Sequence, residues 1–598
     1  MSKRGHGQIR RSQVVTTWGP GSLIDLPKAS AIVGGLDTWP KPSLLEEIPE
    51  PRLARKLELM TGVTAPKLFA PPSDENDPGA KPIGIRVWRF PEWFVVQEKA
   101  GSGGERKGSR RLVPRRALEK GKFETLEVVP TRFVRACPKG HVDDLDWRYF
   151  VHGEEDLCRR QLWLDERGTS GDLGDLFVRC ECGKSRALLE ATFLEVNPLG
   201  TCNGARPWLG RGANEPCNLY SRLLIRTASN AYFPQVVSVL SLPDRASAVE
   251  MAVRELRDDL SIVTNAMELA FMKKKSHILE KLEPYSDEEV LAAIREMSNG
   301  SLGDRPVKQV ELEALLAAPE GFGDDVPIDP NFHVRRLPDR IWRRSPQSQG
   351  IEAVFQLHRL REVLALAGFT RFEAVTPDID GDYETDVERA ALAEEPRWFP
   401  AVENRGEGIF LQLRAAAVKG WLEQPGVKAR LDDLCKGHQR WLEDHKNVQR
   451  NFPGGPYILL HTLSHLLIQS LSMRCGYPAS SIRERIYADY LAERFGILLY
   501  TGTPDAEGTL GGLVQEARNL EDHLAGALRL AALCSNDPIC AQHAPGKSLE
   551  GRWLQGAACH GCTLLAETSC EMRNDYLDRA LVVPVPGLAD AAFFPALL

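Results

Sequence analysis

The 598-residue sequence lacks the segments that mark secreted and membrane proteins. Its first residues, MSKRGHGQIRRSQVV, contain no apolar stretch of the kind found in secretory signals. The longest apolar run, YILLHTLSHLLIQSLSM, is interrupted by His461, His465, Gln469 and several hydroxyl groups, so it is typical of a buried helix and not of a membrane span. We therefore expect a cytoplasmic protein with no membrane contact.

An excess of positive charge is also missing, because the net charge is -7 and the pI is near 6.1. Any contact with nucleic acid must then come from local basic patches. No repeat of fixed period is present, which argues against a solenoid or a propeller. With 43% hydrophobic and 26% charged residues, the composition is that of a folded globular protein, and the length predicts several domains.

Composition and apolar periodicity predict a mixed α/β (α+β) multidomain protein with four parts. These are a mixed region with a basic loop (1–125), a β-rich zinc-binding domain (126–245), a helical domain (246–400) and an α/β zinc-binding domain (401–598). Apolar residues at three-to-four spacing predict helices in DEEVLAAIREM and GIEAVFQLHRLREVLALAGF. In the last part we expect helices over 455–473, in SSIRERIYADYLAERF and in LVQEARNLEDHLAGALRLAALC, with strands at GEGIFLQL and GILLY.

Near the C-terminus, five cysteines and two histidines lie between Cys534 and Asn574. In a reducing compartment such a cluster indicates a metal site and not a disulfide framework. The C-x2-C spacing of CHGC lets two thiolates reach one zinc ion, and no strand precedes it as in a redox pair. Glu567 or His560 would supply a base for a catalytic zinc, but thiolate ligands usually close a site. The sequence thus predicts a structural Zn2+ with the ligands Cys540, Cys559, Cys562 and Cys570. Cys534 is an alternative ligand. It is left out of the preferred set because it ends an apolar helix and could pack there as a small apolar residue.

A second cysteine cluster lies in the β-rich part. The most coherent ligand set for a second structural Zn2+ is Cys180, Cys182, Cys202 and Cys217. Three further residues are candidates: Cys137 and His141 join the same ion or, with Cys158, a second one. Cys158 is equally well explained as a buried thiol.

Motifs that would indicate catalysis are incomplete. His461 and His465 have the spacing of a metalloprotease helix, but Thr462 stands where the glutamate belongs. AQHAPGKS resembles a phosphate-binding loop, but Ala541 replaces the first glycine and no strand precedes it. The acidic run with Asp143, Asp144 and Asp146 supports an alternative function as a metal-dependent nuclease on DNA. We expect a solvated turn there and no catalytic residues.

One segment, EKAGSGGERKGSRRLVPRRALEKGK, is rich in glycine, serine and basic residues and predicts a mobile surface loop. Its basic residues are the best candidates for contacts with DNA phosphates: Arg106, Lys107, Arg110, Arg111, Arg115 and Arg116. A solvated linker without any ligand is the alternative interpretation.

Motifs along the whole chain are similar to those of a known family. RRSQVVTTWGPGSLIDLP, CPKGHVDDLDW, CECGKSRALLE, CNGARPWLG, LHTLSHLLIQSLSMRCGY and CHGC followed by SCEMRNDYLDR together resemble the DrmB family, the non-helicase subunits of DISARM anti-phage systems. The C-terminal third resembles the zinc-binding domain that ends MrfA-like helicases, with Asn574, Leu577 and Asp578 matching its N-x-x-L-D helix. The sequence departs from that domain at LLYTGTPDAEGTLGGL, where an Asp-x-x-Pro-Gly-Gly loop is expected.

The resemblance implies a heteromeric complex with a helicase subunit of the DrmA type, which carries the ATPase activity. It also implies binding to foreign DNA that has a free single-stranded end, and no catalytic activity in this chain.

Overall fold

The computed structural model describes residues 9–26, 29–72, 84–97, 108–153, 158–168, 171–193, 196–242, 249, 252–253, 256–298, 306–322, 329–344, 346–375, 377–381, 389–445, 450–502, 512–547 and 551–595. Strands predominate in the first half of the chain. They are β1 (Leu23–Leu26), β2 (Ala29–Val33), β3 (Lys67–Phe69), β4 (Val87–Arg89), β5 (Trp93–Val96), β6 (Ser109–Pro114), β7 (Val128–Pro130), β8 (Phe133–Ala136), β9 (Val142–Asp144), β10 (Leu162–Glu166), β11 (Leu176–Cys180), β12 (Ser185–Ala187), β13 (Arg222–Ile225), β14 (Phe233–Leu240), β15 (Phe332–Arg336), β16 (Ile351–Thr370), β17 (Trp398–Leu413), β18 (Ile482–Asp489) and β19 (Arg494–Thr501).

Helices are concentrated in the middle and near the C-terminus. They are α1 (Arg11–Thr16), α2 (Pro51–Thr61), α3 (Trp147–His152), α4 (Arg257–Leu260), α5 (Ala266–Met272), α6 (Ser276–Leu282), α7 (Asp287–Ser298), α8 (Val307–Leu316), α9 (Asp339–Trp342), α10 (Ala415–Leu422), α11 (Pro425–Asp444), α12 (Gly455–Cys475), α13 (Gly512–Glu516) and α14 (Leu520–Ala532). Together with the strands they form a mixed α/β protein, as the sequence predicts.

The largest sheet joins the two halves of the chain. Its strand order is β14-β16-β17-β19-β18, with β15 paired to β16 and β3 paired in parallel to β17. One end of the long strands β16 and β17 packs into the N-terminal core, through Val363 and Ala401. The other end packs into the C-terminal core, through Val354 and Leu411. The two cores are therefore connected by continuous strands and not by a linker.

The smaller sheets hold the cysteine-rich segments of the first half. One has six strands in the order β12-β11-β10-β6-β5-β7, and another has the order β13-β8-β9. Most of their strands lie between residues 126 and 245, the range for which the sequence predicts a β-rich domain, and β5 and β6 lie before it. In each sheet, one strand leads into a turn that carries cysteines. Strand β11 ends at Cys180, and β8 ends one residue before Cys137.

Helix α12 lies at the centre of the C-terminal core and is buried on all its sides over most of its length. Gly454, with φ of 81°, precedes the helix, and Pro456 in the first turn favours its start. Gly476 ends it in the left-handed conformation, with φ of 74°. The helix predicted over 455–473 is confirmed. Within the described residues, no helix has the length and hydropathy needed to cross a membrane.

Two predicted helices are strands instead. The segment GIEAVFQLHRLREVLALAGF forms β16, which lies between other strands and is buried on both faces. Such a strand is apolar at most positions, so apolar residues three and four apart occur in it without forming a helix. The segment SSIRERIYADYLAERF forms β18 and the turn to β19. Its charged residues, such as Arg485 and Glu484, are buried because they find ionic partners on other elements, which periodicity cannot reveal.

Candidate metal centres

The first group of ligand-type side chains, site A, consists of Cys137, His141, Cys202 and Cys217. Cys137 and His141 lie at the two ends of the turn from β8 to β9, where the Cys137 amide donates to the His141 carbonyl at 3.1 Å. His141 Nδ1 lies 3.3 Å from Cys137 Sγ and 3.5 Å from Cys202 Sγ. Its Nε2 lies 2.7 Å from a carboxylate oxygen of Glu215, which holds the ring with Nδ1 towards the thiols.

Site B consists of His152, Cys158, Cys180 and Cys182. His152 is the last residue of α3, and its Nε2 lies 3.4 Å from Cys182 Sγ. Its Nδ1 donates to the Arg148 carbonyl at 3.0 Å, which again fixes the ring. The Cys158 and Cys180 sulfurs lie 3.6 Å apart. Sequence reasoning missed His152, although its position six residues before a cysteine, at the end of a short aromatic helix, was a usable signal.

The structure thus divides the N-terminal quartet expected from the sequence between two sites. Cys180 and Cys182 lie in site B, whereas Cys202 and Cys217 lie in site A. The reason is the path of the chain, because the loop after β12 folds back on the β8–β9 turn, where the Val142 amide donates to the Ala205 carbonyl at 3.2 Å.

Site C, near the C-terminus, consists of Cys534, Cys540, Cys559 and Cys562. The sulfurs of Cys534 and Cys559 lie 3.4 Å apart, and Cys562 lies 3.7 Å from both Cys540 and Cys559. In the CHGC turn, the Gly561 amide donates to Cys559 Sγ at 3.3 Å. The C-x2-C turn therefore holds two sulfurs beside the two upstream ones.

Cys570 does not lie in site C, where the sequence analysis expected it, and Cys534 occupies that place. Cys570 Sγ lies 3.1 Å from His461 Nε2, against the central helix α12. The sequence could not separate the two cysteines, because Cys534 lies two residues after the apolar helix α14 and continues its apolar pattern.

The distances in these sites test whether a metal ion fits them. All cysteines in the described part of the chain are free thiols. The sulfur–sulfur distances of 3.4–3.7 Å in sites B and C are far from the ~2.05 Å of a disulfide. They are close to the ~3.8 Å edge of a tetrahedron with Zn–S bonds of about 2.3 Å. Sites A and B each offer three thiols and one imidazole, and site C offers four thiols, which are the donor sets of structural zinc sites.

Each of the three sites contains a cysteine that is stabilised as a thiolate. A hydrogen bond from Cys137 lowers the pKa of Cys202 in site A to about 4. The backbone amide of Lys184 lowers the pKa of Cys182 in site B to about 6. A hydrogen bond from Cys540 lowers the pKa of Cys562 in site C to about 5. Thiolate is the form that binds metal.

The acidic residues considered for a nuclease have other contacts. The Asp143 carboxylate accepts from Arg135 at 2.9 Å, and Asp146 caps α3 by accepting from the Arg148 and Tyr149 amides. Burial raises the pKa of Asp144 to about 7. The Asp144 carboxylate accepts from the Glu92 amide at 2.8 Å. Asp143 and Asp144 lie on β9 and Asp146 caps α3, so the acidic run is not the solvated turn expected from the sequence, and each carboxylate has a partner within the fold.

The basic segment is only partly a loop. Arg106 and Lys107 lie outside the described residues, while Arg110 and Arg111 lie on β6. Three of its arginines have carboxylate partners at 2.8–2.9 Å: Arg110 with Glu166, Arg111 with Glu124 and Arg115 with Glu92. Arg116 is exposed. The structure therefore leaves less free positive charge here than the sequence suggests.

The phosphate-loop resemblance has no supporting context. Pro545–Lys547 forms a single 3-10 turn that packs on α11, where Arg440 donates to the Gly546 carbonyl at 3.0 Å. Turns and not a strand precede it. Of the segment LLYTGTPDAEGTLGGL, in which the sequence departs from the MrfA-like pattern, the first residues belong to β19, and residues 503–511 lie outside the described part of the chain.

Comparisons with known proteins agree with this arrangement. A domain of unknown function, DUF8724, matches residues 10–233, which include sites A and B. The MrfA Zn-binding domain matches residues 463–563, which include all four cysteines of site C. The chain is thus expected to bind zinc at least there.

A curated relative extends the likeness over most of the chain. The DISARM protein DrmB of Bacillus paralicheniformis is 32% identical over 484 residues, which cover 78% of this chain and 83% of the relative. Identity at this level over this length, together with the zinc-binding C-terminal domain, places the chain in the DrmB family of DISARM proteins.

Proposed function

We propose that this chain is a non-catalytic, zinc-binding subunit of an antiviral DISARM complex. It partners a helicase subunit of the DrmA type in the cytoplasm and helps that subunit engage foreign DNA with a single-stranded end. The observation that supports this most is the family membership, because the likeness covers 83% of a DISARM protein. The ATPase activity is then a property of the partner.

Zinc has a structural role in this proposal. Sites A, B and C each supply four protein ligands, one more than a catalytic zinc usually has, so Zn2+ bound there has no open position for water or substrate. Site C, for example, joins the CHGC turn to the segment directly after α14, and both consist of turns without a helix or strand. The sequence predicted two such ions, and the grouping of the ligands favours three.

The contact with DNA is proposed at the basic segment before and after β6. Since Glu166, Glu124 and Glu92 neutralise Arg110, Arg111 and Arg115, we assign the phosphate contacts to Arg106, Lys107 and Arg116. Two or three contacts give a shallow salt dependence. The net charge of -7 opposes association at long range, so the isolated chain binds DNA weakly and the helicase supplies most of the affinity.

The test is DNA binding by the complex with reversed charges. Changing Arg106, Lys107 and Arg116 to Glu should weaken binding to end-labelled DNA with a single-stranded tail and lower the slope of log K against log salt by about 2. Assembly with the helicase should not change. Arg397→Glu is the control, because Arg397 is 83% exposed and lies elsewhere on the surface. Equal affinity and slope in the triple variant would refute this surface.

A separate assay on the isolated chain tests the absence of catalysis. Incubated with Mg2+ or Mn2+, the isolated chain should leave labelled single and double strands intact. Cleavage that disappears on changing Asp143 or His461 would instead establish a metal-dependent nuclease.

A further inference from the structure

A fourth group of ligand-type side chains lies in the C-terminal core, apart from the three cysteine-rich sites. It consists of His461, His465, Glu484 and Cys570, whose ligand atoms all lie within 4.8 Å of one another. His461 and His465 are one turn apart on α12, Glu484 lies on β18, and Cys570 lies in the segment after site C. All four are buried, and both histidines and the Glu484 side chain have no exposed surface.

The ligand atoms converge on one point. His461 Nε2 lies 3.1 Å from Cys570 Sγ and 3.0 Å from Glu484 Oε1. His465 Nε2 lies 3.4 Å from the same carboxylate oxygen. A tetrahedron with metal–ligand bonds of about 2.0–2.3 Å has edges of about 3.3–3.8 Å, so small shifts would place all four atoms around one ion.

Contacts behind His465 and Glu484 hold these two side chains in this orientation. His465 Nδ1 donates to the Thr563 carbonyl at 2.8 Å, which leaves the lone pair of Nε2 directed at the centre. The Glu484 carboxylate accepts from the Ser464 hydroxyl and, at 3.2 Å, from the Glu571 amide.

The thiol is oriented in the same way. Cys570 Sγ accepts hydrogen bonds from the Asn574 amide at 3.1 Å and from the Met572 amide at 3.4 Å. The two amide donors fix the direction of the sulfur, and the CHGC turn of site C has the same type of contact.

An ion pair between His461 and Glu484 does not account for the whole group. A protonated His461 would satisfy Glu484, but His465 Nε2, although 3.4 Å from the same carboxylate oxygen, makes no well-directed hydrogen bond while its side chain is completely buried. A buried polar atom without a partner costs roughly 1–3 kcal/mol and is rare in folded proteins. A cation at the centre would satisfy this nitrogen, the thiolate and the carboxylate together.

We propose that His461, His465, Glu484 and Cys570 bind a fourth metal ion, a divalent transition-metal ion of the zinc type. The two imidazoles and the thiolate exclude Mg2+ and Ca2+, which prefer oxygen ligands. With four protein ligands the ion is structural, and it fixes α12, β18 and the segment around Cys570 to one another. Glu484 and Cys570 also line a cleft of about 410 Å3, which gives the ion a route from solvent.

The test counts and locates the metal in the full-length chain. Elemental analysis should find about four zinc equivalents per chain in the wild type. Glu484→Gln and Cys570→Ser should each lose one equivalent and keep the rest. Cys435→Ser is the matched control, since Cys435 lies on α11 outside every ligand group, and it should keep all four.

Anomalous scattering at the zinc edge from wild-type crystals tests the site without any variant. A peak between His461 Nε2 and Cys570 Sγ is the expected result, and density without a peak there would overturn the proposal even if the variants fail to fold. Peaks at sites A, B and C are assigned separately in the same map. The map therefore shows separately whether the fourth site and each of the other three sites bind metal.

Discussion

Removing the charge of Asp578 should destabilise the C-terminal core more than removing the charge of a partly exposed aspartate. Asp578 is completely buried, and its Oδ2 accepts from Arg430 Nε at 2.6 Å. Its Oδ1 accepts from the Ala557 and Ala580 amides at 3.1 and 3.0 Å. The pair therefore attaches α11 to the segment that enters the CHGC turn.

Asp578→Asn keeps the volume and the acceptor for the two amides, but it leaves the Arg430 guanidinium buried without its carboxylate. Breaking one side of a buried ion pair costs roughly 3–5 kcal/mol, because the remaining charge is not solvated. The control is Asp433→Asn, since the Asp433 side chain is 26% exposed and lies 3.4 Å from Arg430 Nη1. We expect roughly 1 kcal/mol or less for it, because Arg430 keeps its shorter ion pair with Asp578 and the Asp433 side chain is partly solvated.

The assay is urea unfolding at saturating zinc, followed by circular dichroism and tryptophan fluorescence. The midpoint for Asp578→Asn should lie clearly below that for Asp433→Asn. Equal midpoints for the two variants would refute the role given to the buried pair. The double variant Asp578→Asn with Arg430→Met should recover part of the loss, because no charge is left buried alone.

Two further outcomes follow from single residues. Burial raises the pKa of Asp144 from 3.8 in the unfolded chain to about 7, so its ionisation destabilises the fold as the pH rises through this window. The free energy of unfolding of Asp144→Asn should therefore rise relative to that of the wild type by up to roughly 1.4 kcal/mol per pH unit between about pH 4 and about pH 7. Urea unfolding at several pH values measures this difference, and a difference that does not change with pH would contradict the prediction. Lys547→Ala should leave the ATPase rate of the helicase complex unchanged, because Lys547 lies in a single 3-10 turn; a lost rate with intact assembly would show that the APGKS segment binds nucleotide.

The parts of the fold that could be predicted from the sequence are those with local signals. Pro456 and Gly476 mark the ends of α12, and the apolar run GILLY forms the buried strand β19. Strand β16 could not be recognised, because a central strand covered on both faces has no alternating pattern. Strand β18 was missed for a different reason, since its buried Arg485 is matched by Glu311 from α8, 174 residues earlier in the chain.

Among the metal ligands, too, those with a local sequence signal were predicted and those set by contacts between distant segments were not. Cys559 and Cys562 were found because their C-x2-C turn is a local feature. The distribution of cysteines between sites A and B depends on how the loop after β12 folds back, which the sequence does not state. Glu484 was not considered as a ligand at all, because only the packing of β18 on α12 brings it within 3.0 Å of His461.

Co-purification with a helicase subunit of the DrmA type tests the central claim most directly. The account predicts a stable heteromeric complex at physiological salt. That complex should bind DNA with a single-stranded end at least about tenfold more tightly than either subunit alone, a difference of about 1.4 kcal/mol. If the two proteins elute separately with and without such DNA, and the chain adds nothing to the affinity of the helicase, the account is contradicted.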